Sequence, residues 1–210
     1  LKSICESAKK NKVKKIIYAS SSGVYGKLNY ENKVKEDTII APISGYAMAK
    51  RACEIYLQNF QKENNIHCAS VRLFNVYGKR QDIRMVIPRF IELAKTNQDI
   101  AIYGNGKQTR DFTYIDDTIE ATILVAEKCK ENEIFNIARG MDTTMNELAN
   151  AIIAITNSKS KILNVEAPFL RYDFDVEKRC GDSSKLDRYV DFRPKIDLVE
   201  GLKKVYSFLS

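Results

Sequence analysis

Tyr46 and Lys50 lie four residues apart in a stretch that reads as helix, so their side chains share one face, one turn apart. An ammonium held about 4 Å from a phenol, at an effective dielectric of about 20, favours the phenolate by roughly 4 kcal/mol. Such a pair is a candidate general base for an alcohol. The same spacing recurs at Tyr103 and Lys107, but there it straddles the turn Gly104-Asn105-Gly106 and has no helix to align it. Three serines, Ser20, Ser21 and Ser22, stand before Gly23 at the end of one apolar run, and Asn75 closes the next. Serines before a glycine suit a plain turn equally well. Together with Tyr46 and Lys50 they make a converging polar set at strand ends, where open α/β sheets bind their ligands.

The elements that would carry these groups alternate. Leu1, Ile4, Cys5 and Ala8 fall at helical spacing over residues 1 to 11, and KKIIYAS at 14 to 20 reads as a buried strand. Pro42 precedes a long amphipathic helix from about Ser44, a candidate cap, to Glu63, and CASVRLFNV at 68 to 76 reads as the next strand. This rhythm predicts an α/β sheet. Beyond Gly78 the pattern is more mixed, with a helix near 86 to 96, a strand at 101 to 103 and a strand around 110 to 115. Then follow a helix from 116 to 129, a strand at 134 to 138 and a helix at 144 to 156. Polar, irregular sequence around 173 to 182 leads to a closing amphipathic helix from Leu198 to Leu209.

Charge and composition narrow the function classes. A net charge of +7 over 210 residues fits an anionic partner, either nucleic acid or a small phosphorylated ligand. The densest basic run, Lys9, Lys10, Lys12, Lys14 and Lys15, carries no interleaved aromatics and reads as a solvated helix end, which argues against nucleic acid. No apolar run approaches the roughly 18 residues of a membrane span, and no secretory signal pattern is present. Five cysteines, odd in number and without a C-x-x-C pair, argue against a disulfide framework or a zinc site and for a reducing, cytoplasmic setting. The single His67, beside Cys68 at a strand start, reads as structural. No G-x-G-x-x-G turn occurs, and the chain opens on a helix tail before its first strand, so its start is expected to lie inside a longer fold.

Four segments in this order, ASSSGVYG (19 to 26), YAMAK (46 to 50), VRLFNVYG (71 to 78) and GNGKQTRDFTYIDD (104 to 117), resemble the extended short-chain dehydrogenase/reductase family. Within it the likeness is to the NAD-dependent epimerase/dehydratase enzymes, especially the UDP-glucose 4-epimerases, and it covers essentially the whole chain. The resemblance implies an α/β fold holding the C-terminal part of a Rossmann-like doubly wound parallel sheet, with residues 1 to 80 as part of the NAD-binding domain that carries the catalytic residues. Residues 81 to 210 would form mainly a smaller, mixed α/β substrate-binding domain, with some segments returning to the Rossmann sheet. The family begins with a glycine-rich strand-loop-helix that this sequence lacks, so the chain alone is expected to be inactive.

Carried over by position, the resemblance implies that Ser21 is the catalytic hydroxyl, Tyr46 the base and Lys50 its partner, with Tyr46, Lys50 and Phe74 toward NAD. Substrate contacts would come from Ser21, Ser22, Asn75, Tyr103, Arg110, Arg171 and Arg179, with Arg110 as a phosphate-binding guanidinium. The implied reaction passes a hydride from sugar C4 to tightly bound NAD and returns it to the other face of the 4-keto sugar. Arg179 stands where 4-epimerases gate their pocket, and an arginine there also resembles UDP-glucuronate decarboxylases, with an acidic sugar. The family's dehydratases carry an Asp-Glu pair directly after the catalytic hydroxyl; Ser22 and Gly23 stand there instead, against water elimination. Decarboxylation of UDP-glucuronate and a non-catalytic nucleotide-sugar-binding role are the rival expectations. Family members commonly form homodimers through the helix that carries Tyr and Lys, and Ala49, Cys53, Tyr56 and Phe60 have the spacing for such a contact or for a buried core.

Overall fold

The computed structural model describes residues 1 to 27, 33 to 166 and 177 to 209. Helix α1 (Lys2–Lys10) leads into strand β1 (Lys15–Ser21), which runs directly into a 3-10 turn (Ser22–Tyr25). Helix α2 (Gly45–Asn64) starts on Ser44, whose hydroxyl accepts the Ala47 N–H, and stops on Asn65 in the left-handed conformation. Strands β2 (His67–Leu73) and β3 (Val76–Tyr77), helix α3 (Val86–Lys95) and strand β4 (Ile100–Tyr103) follow. Next come β5 (Thr109–Asp111), β6 (Thr113–Tyr114), helix α4 (Ile115–Lys128) and strand β7 (Glu133–Ile137). The chain continues through β8 (Asp142–Thr144), α5 (Met145–Thr156), β9 (Ile162–Val165), α6 (Ser184–Val190) and α7 (Leu198–Leu209).

Strands β1, β2 and β7 form a parallel sheet with β2 in the middle, in register from Lys15 opposite His67 to Ser21 opposite Leu73. Alternate residues of β2 face opposite layers, and both faces are covered, as a parallel sheet requires. Cys68 packs with Cys5, Leu57, Phe60 and Ile66 under α1 and α2. Ala69 and Val71 pack with Val125, Phe135 and Leu186 under α4 and α6. The fold is thus an α/β fold with helices on both sides of a parallel sheet. Phe60, one of the residues spaced for a contact along α2, belongs to this core.

A second core gathers Ile91 of α3, Ile100 and Ile102 of β4, Leu148 and Ile152 of α5 and Leu202 of α7. Here β4 pairs with β9 in parallel, and β5 with β8 antiparallel. Strand β3 pairs with β6.

The apolar run 68 to 76, expected as one strand, is two. The chain leaves the main sheet at Leu73, buries Phe74 among Val24, Tyr25, Val34 and Ala138, and resumes as β3 beside β6. The Phe74 N–H bonds to the Ile137 carbonyl at the end of β7, while the pairing with β1 stops at Ser21 opposite Leu73, where β1 turns into the 3-10 turn. The run around 110 to 115 divides in the same way, into β5 and β6 on either side of buried Phe112. After β3 the backbone passes so close to α4 that a Cβ at Gly78 would lie 2.2 Å from Ile115 Cγ2, which leaves room for glycine alone. Strands β8 and β9 and helix α6 have no counterpart in the elements expected from sequence. Among the described residues no helix is long and apolar enough to cross a membrane, and no group of three His, Cys, Asp or Glu side chains is placed to hold a metal ion.

Candidate active site

Strand alternation sorts the three serines. Ser20 turns toward α2 and donates to Glu54 Oε1 at 2.6 Å, so its hydroxyl belongs to the interior. Ser21, one residue on, caps the 3-10 turn by accepting the Gly23 N–H at 3.0 Å. Ser22 is buried at the start of that turn. Helix α2 packs against this turn, and its own first turn carries Tyr46, 62% exposed. One turn later Lys50 Nζ donates to the Ala19 carbonyl at 2.7 Å. The ammonium lies 5.0 Å from the Tyr18 ring centroid and 5.6 Å from that of Tyr46.

Ser21, Ser22, Tyr46 and Lys50 line one cleft of about 380 Å³ at the carboxyl end of β1 and β2. Asn75, Gln81 and Arg179 add polar groups, and Leu73, Val76, Met85, Val86 and Phe112 supply an apolar lining. Arg179 is held from behind, its Nη2 donating to the Gly26 carbonyl at 3.0 Å. No Asp or Glu appears among the described residues that line the cleft.

Asn75 and Val86 also line an adjoining pocket of about 240 Å³, together with Tyr103, Arg84, Arg89 and Arg110. Arg110 donates from Nη1 to the Thr109 carbonyl at 2.8 Å, and Arg84 forks onto Asp82 at 2.8 and 2.7 Å. Three guanidinium groups about one pocket suit phosphate oxygens. One end of the combined cavity therefore holds groups that can move a proton on an alcohol, and the other holds cations for an anion.

Two further positions stand apart from this cavity. Phe74 is wholly buried and does not line the cleft, so any cofactor contact there falls to its backbone. Arg171 lies outside the described residues.

Sequence reading missed Arg84, Arg89, Gln81 and Met85 as lining residues, because each becomes part of the cavity only through the packing of α3 and the loop before it. It also missed a buried polar network under the serine turn. Glu54 and Arg72 are each 1% exposed. Arg72 Nε and Nη2 donate to the two Glu54 oxygens at 2.9 Å each, and Arg51 adds a third contact at 3.0 Å. Burial pushes the Glu54 carboxyl up, but the hydrogen bonds and charge of Arg72, with help from Ser20 and Arg51, bring it below the usual carboxylate range. Arg72 Nη1 also donates to Tyr25 Oη at 2.9 Å, and Tyr25 donates to Asn136 Oδ1 at 2.7 Å. Burial pushes the Tyr25 phenol up to about 12. The available signal was an arginine inside an apolar strand, which must find a buried partner, and a glutamate one turn beyond Lys50 on the same face of α2.

Asp111, next to Arg110, ties the cleft's outer segments together. Its Oδ1 accepts the Arg139 N–H, and its Oδ2 accepts the N–H groups of Gly140 and Gly181, all at 3.0 Å. Burial pushes this carboxyl up to about 6, against the pull of the three N–H groups. Residues 177 to 182, which carry Arg179, are also pinned by backbone bonds from Thr109 to Glu177, from Val34 to Cys180 and from Asp182 to Val34.

Known proteins resemble this chain along nearly all of its length. A UDP-N-acetyl-alpha-D-glucosaminuronate decarboxylase of Bacillus cytotoxicus is 35% identical over 97% of the chain and 65% of its own length. A human dTDP-D-glucose 4,6-dehydratase is 33% identical over 96% of the chain and 58% of its own length. The structure superposes with a TM-score of 0.92 on a UDP-glucose 4-epimerase of Thermotoga maritima, crystallised with UDP-glucose. That protein is 33% identical, and the match covers 98% of this chain and 66% of that one. The chain thus spans between 58% and 66% of the length of these relatives. The sequence model of the NAD dependent epimerase/dehydratase family matches residues 2–138, the stretch that builds the sheet and carries Ser21, Tyr46 and Lys50, and the chain belongs to that family.

Proposed function

We propose that the whole protein is a nucleotide-sugar 4-epimerase of the UDP-glucose or UDP-N-acetylglucosamine type, and that this chain contributes its catalytic and substrate-binding groups. The observation that carries this reading is a single cleft lined by Ser21, Tyr46 and Lys50, without a carboxylate among its described lining residues and opening onto an arginine-lined pocket. Elimination of water from a sugar needs an acid and a base beyond the tyrosine, and the positions after Ser21 hold Ser22 and Gly23. Inversion of an alcohol needs only a proton acceptor and a hydride partner.

NAD, when bound, supplies the acceptor and donor of hydride at C4. The residues present fit its nicotinamide-ribose end. Lys50 has three N–H donors, one of them already turned to the exposed Ala19 carbonyl at the rim of the cleft. The sequence holds no G-x-G-x-x-G turn for a pyrophosphate. On the sugar, Ser21 would hydrogen-bond the C4 hydroxyl, and Tyr46 would take its proton and later return it. Lys50 Nζ stands 5.6 Å from the Tyr46 ring centroid, a cation beside the group that would release and regain the proton. Arg110, Arg89 and Asn75 would hold the diphosphate, and the strand end at Ile102 and Tyr103, which lines the same pocket, the base.

Arg179 favours a second reading. A guanidinium at the catalytic end of the cleft suits a sugar that carries a carboxylate, which makes UDP-glucuronate a candidate substrate for epimerisation or decarboxylation. One assay separates these outcomes. The whole protein with NAD, given UDP-glucose, UDP-N-acetylglucosamine and UDP-glucuronate in turn, is expected to yield the C4 epimer without release of carbon dioxide or water. Carbon dioxide from UDP-glucuronate would replace this reading with the decarboxylase, and affinity for UDP-sugars without turnover would replace it with a binding protein.

A further inference from the structure

Under the catalytic end of the cleft, the buried ion pair of Glu54 and Arg72 joins the elements that carry the reactive groups. Ser20, whose hydroxyl lies 2.6 Å from Glu54 Oε1, directly precedes Ser21 on β1. Glu54 lies one helical turn beyond Lys50 and two beyond Tyr46 on α2. Tyr25, bonded to Arg72 Nη1, ends the turn that Ser21 caps. A buried ion pair is a poor source of stability, because desolvation of two charges cancels most of their attraction and apolar residues of equal volume commonly do as well. What a bidentate guanidinium–carboxylate pair does supply is one fixed orientation. Proton transfer needs such a fix, since donor and acceptor must come within about 2.6 to 3.2 Å of each other.

We propose that Glu54 and Ser20, locked by Arg72, are positioning residues that set Tyr46 and Lys50 on α2 against Ser21 on β1. The inference rests on the reading of the cleft as a site of proton transfer to and from a sugar alcohol. Glu54 does not line the cleft, and Ser20, which does, gives its hydroxyl to Glu54. Their effect reaches the chemistry through the placement of α2 on the strand.

The test uses the whole protein, as wild type and as Ser20→Ala, Glu54→Gln and Tyr46→Phe, with kcat and KM measured on the UDP-sugar that the wild type turns over. Sites are counted by calorimetric titration with UDP, so that kcat is expressed per folded, ligand-binding site. Ser20→Ala is expected to lower kcat per site about tenfold and Glu54→Gln about a hundredfold, with KM within about threefold of wild type, as for a small misplacement of reacting groups. A merely structural role would reduce the number of sites and leave kcat per site unchanged, and that result would overturn the proposal. If Glu54→Gln does not fold, Ser20→Ala decides alone, because it removes one hydrogen bond and leaves the ion pair intact. Turnover abolished by Tyr46→Phe but untouched per site in the other two variants would overturn the positioning role and leave the reading of the cleft standing. Turnover that survives Tyr46→Phe would overturn that reading and the positioning role together.

Discussion

The carboxyl of Asp111 is fully buried, faces the Cys180 thiol at 3.8 Å, and takes its only hydrogen bonds from N–H groups and that thiol among the described contacts. Burial raises it from its ordinary 3.8 to about 6, so between those values the folded chain holds a proton that the unfolded chain has released. Stability therefore falls as pH rises through this window. Its contribution is fully present below about pH 4 and is lost above about pH 6, with a span on the order of 3 kcal/mol. Asp111→Asn cannot ionise and removes the effect. The difference in urea-unfolding free energy between wild type and Asp111→Asn is expected to fall between pH 4 and pH 6.5. A difference that stays flat or rises over that range would contradict the assignment of the raised carboxyl to Asp111.

Helix α7 offers a test in which local preference and packing disagree. Alanine is the better helix former than glycine by about 1 kcal/mol. A Cβ at Gly201, however, would sit 2.0 Å from Tyr77 Oη and 2.7 Å from its ring. Tyr77 cannot withdraw, being 2% exposed and wedged edge-on against Phe112 and Tyr114 at 6.2 and 5.4 Å. Overpacking costs about 1 to 3 kcal/mol, so Gly201→Ala is expected to lower the thermal midpoint in spite of its propensity. A raised midpoint would mean that α7 shifts freely on the second core. The same contrast explains which elements the sequence made legible. Ser44 and the apolar spacing after it announced α2, and the bounds of α7 were readable because a whole face of it is apolar. Strand β9 was not, since only Ile162 is half-buried and its existence depends on pairing with Ile100, far away in the chain. Helix α6 has seven residues, too few to display a period, and β8 is three polar residues. The break at Phe74 was invisible because apolarity does not tell a strand that continues from one that changes partners. In the site, the spacing of Ser21, Tyr46 and Lys50 was readable, whereas the pairing of Glu54 with Arg72 depends on how α2 rolls against β2.

Across the whole molecule the cavity lies where the two cores meet. The end lined by Ser21, Tyr46 and Lys50 belongs to the sheet, and the cationic end belongs to the second core, through Tyr103 and Arg110. Strand β3, paired with β6 next to β5, and the Asp111 carboxylate hold the two ends in one frame. A long ligand with an alcohol at one end and a diphosphate further along matches that layout. The measurement that bears most directly on this account is kcat for C4 inversion by the whole protein with and without the Tyr46 hydroxyl. Tyr46→Phe is expected to lower kcat by about a hundredfold to ten-thousandfold, the range of general acid-base catalysis, with the KM for the UDP-sugar little changed. Turnover by the variant within about tenfold of wild type, far short of the general acid-base range, would contradict the assignment of Tyr46 as the group that moves the proton.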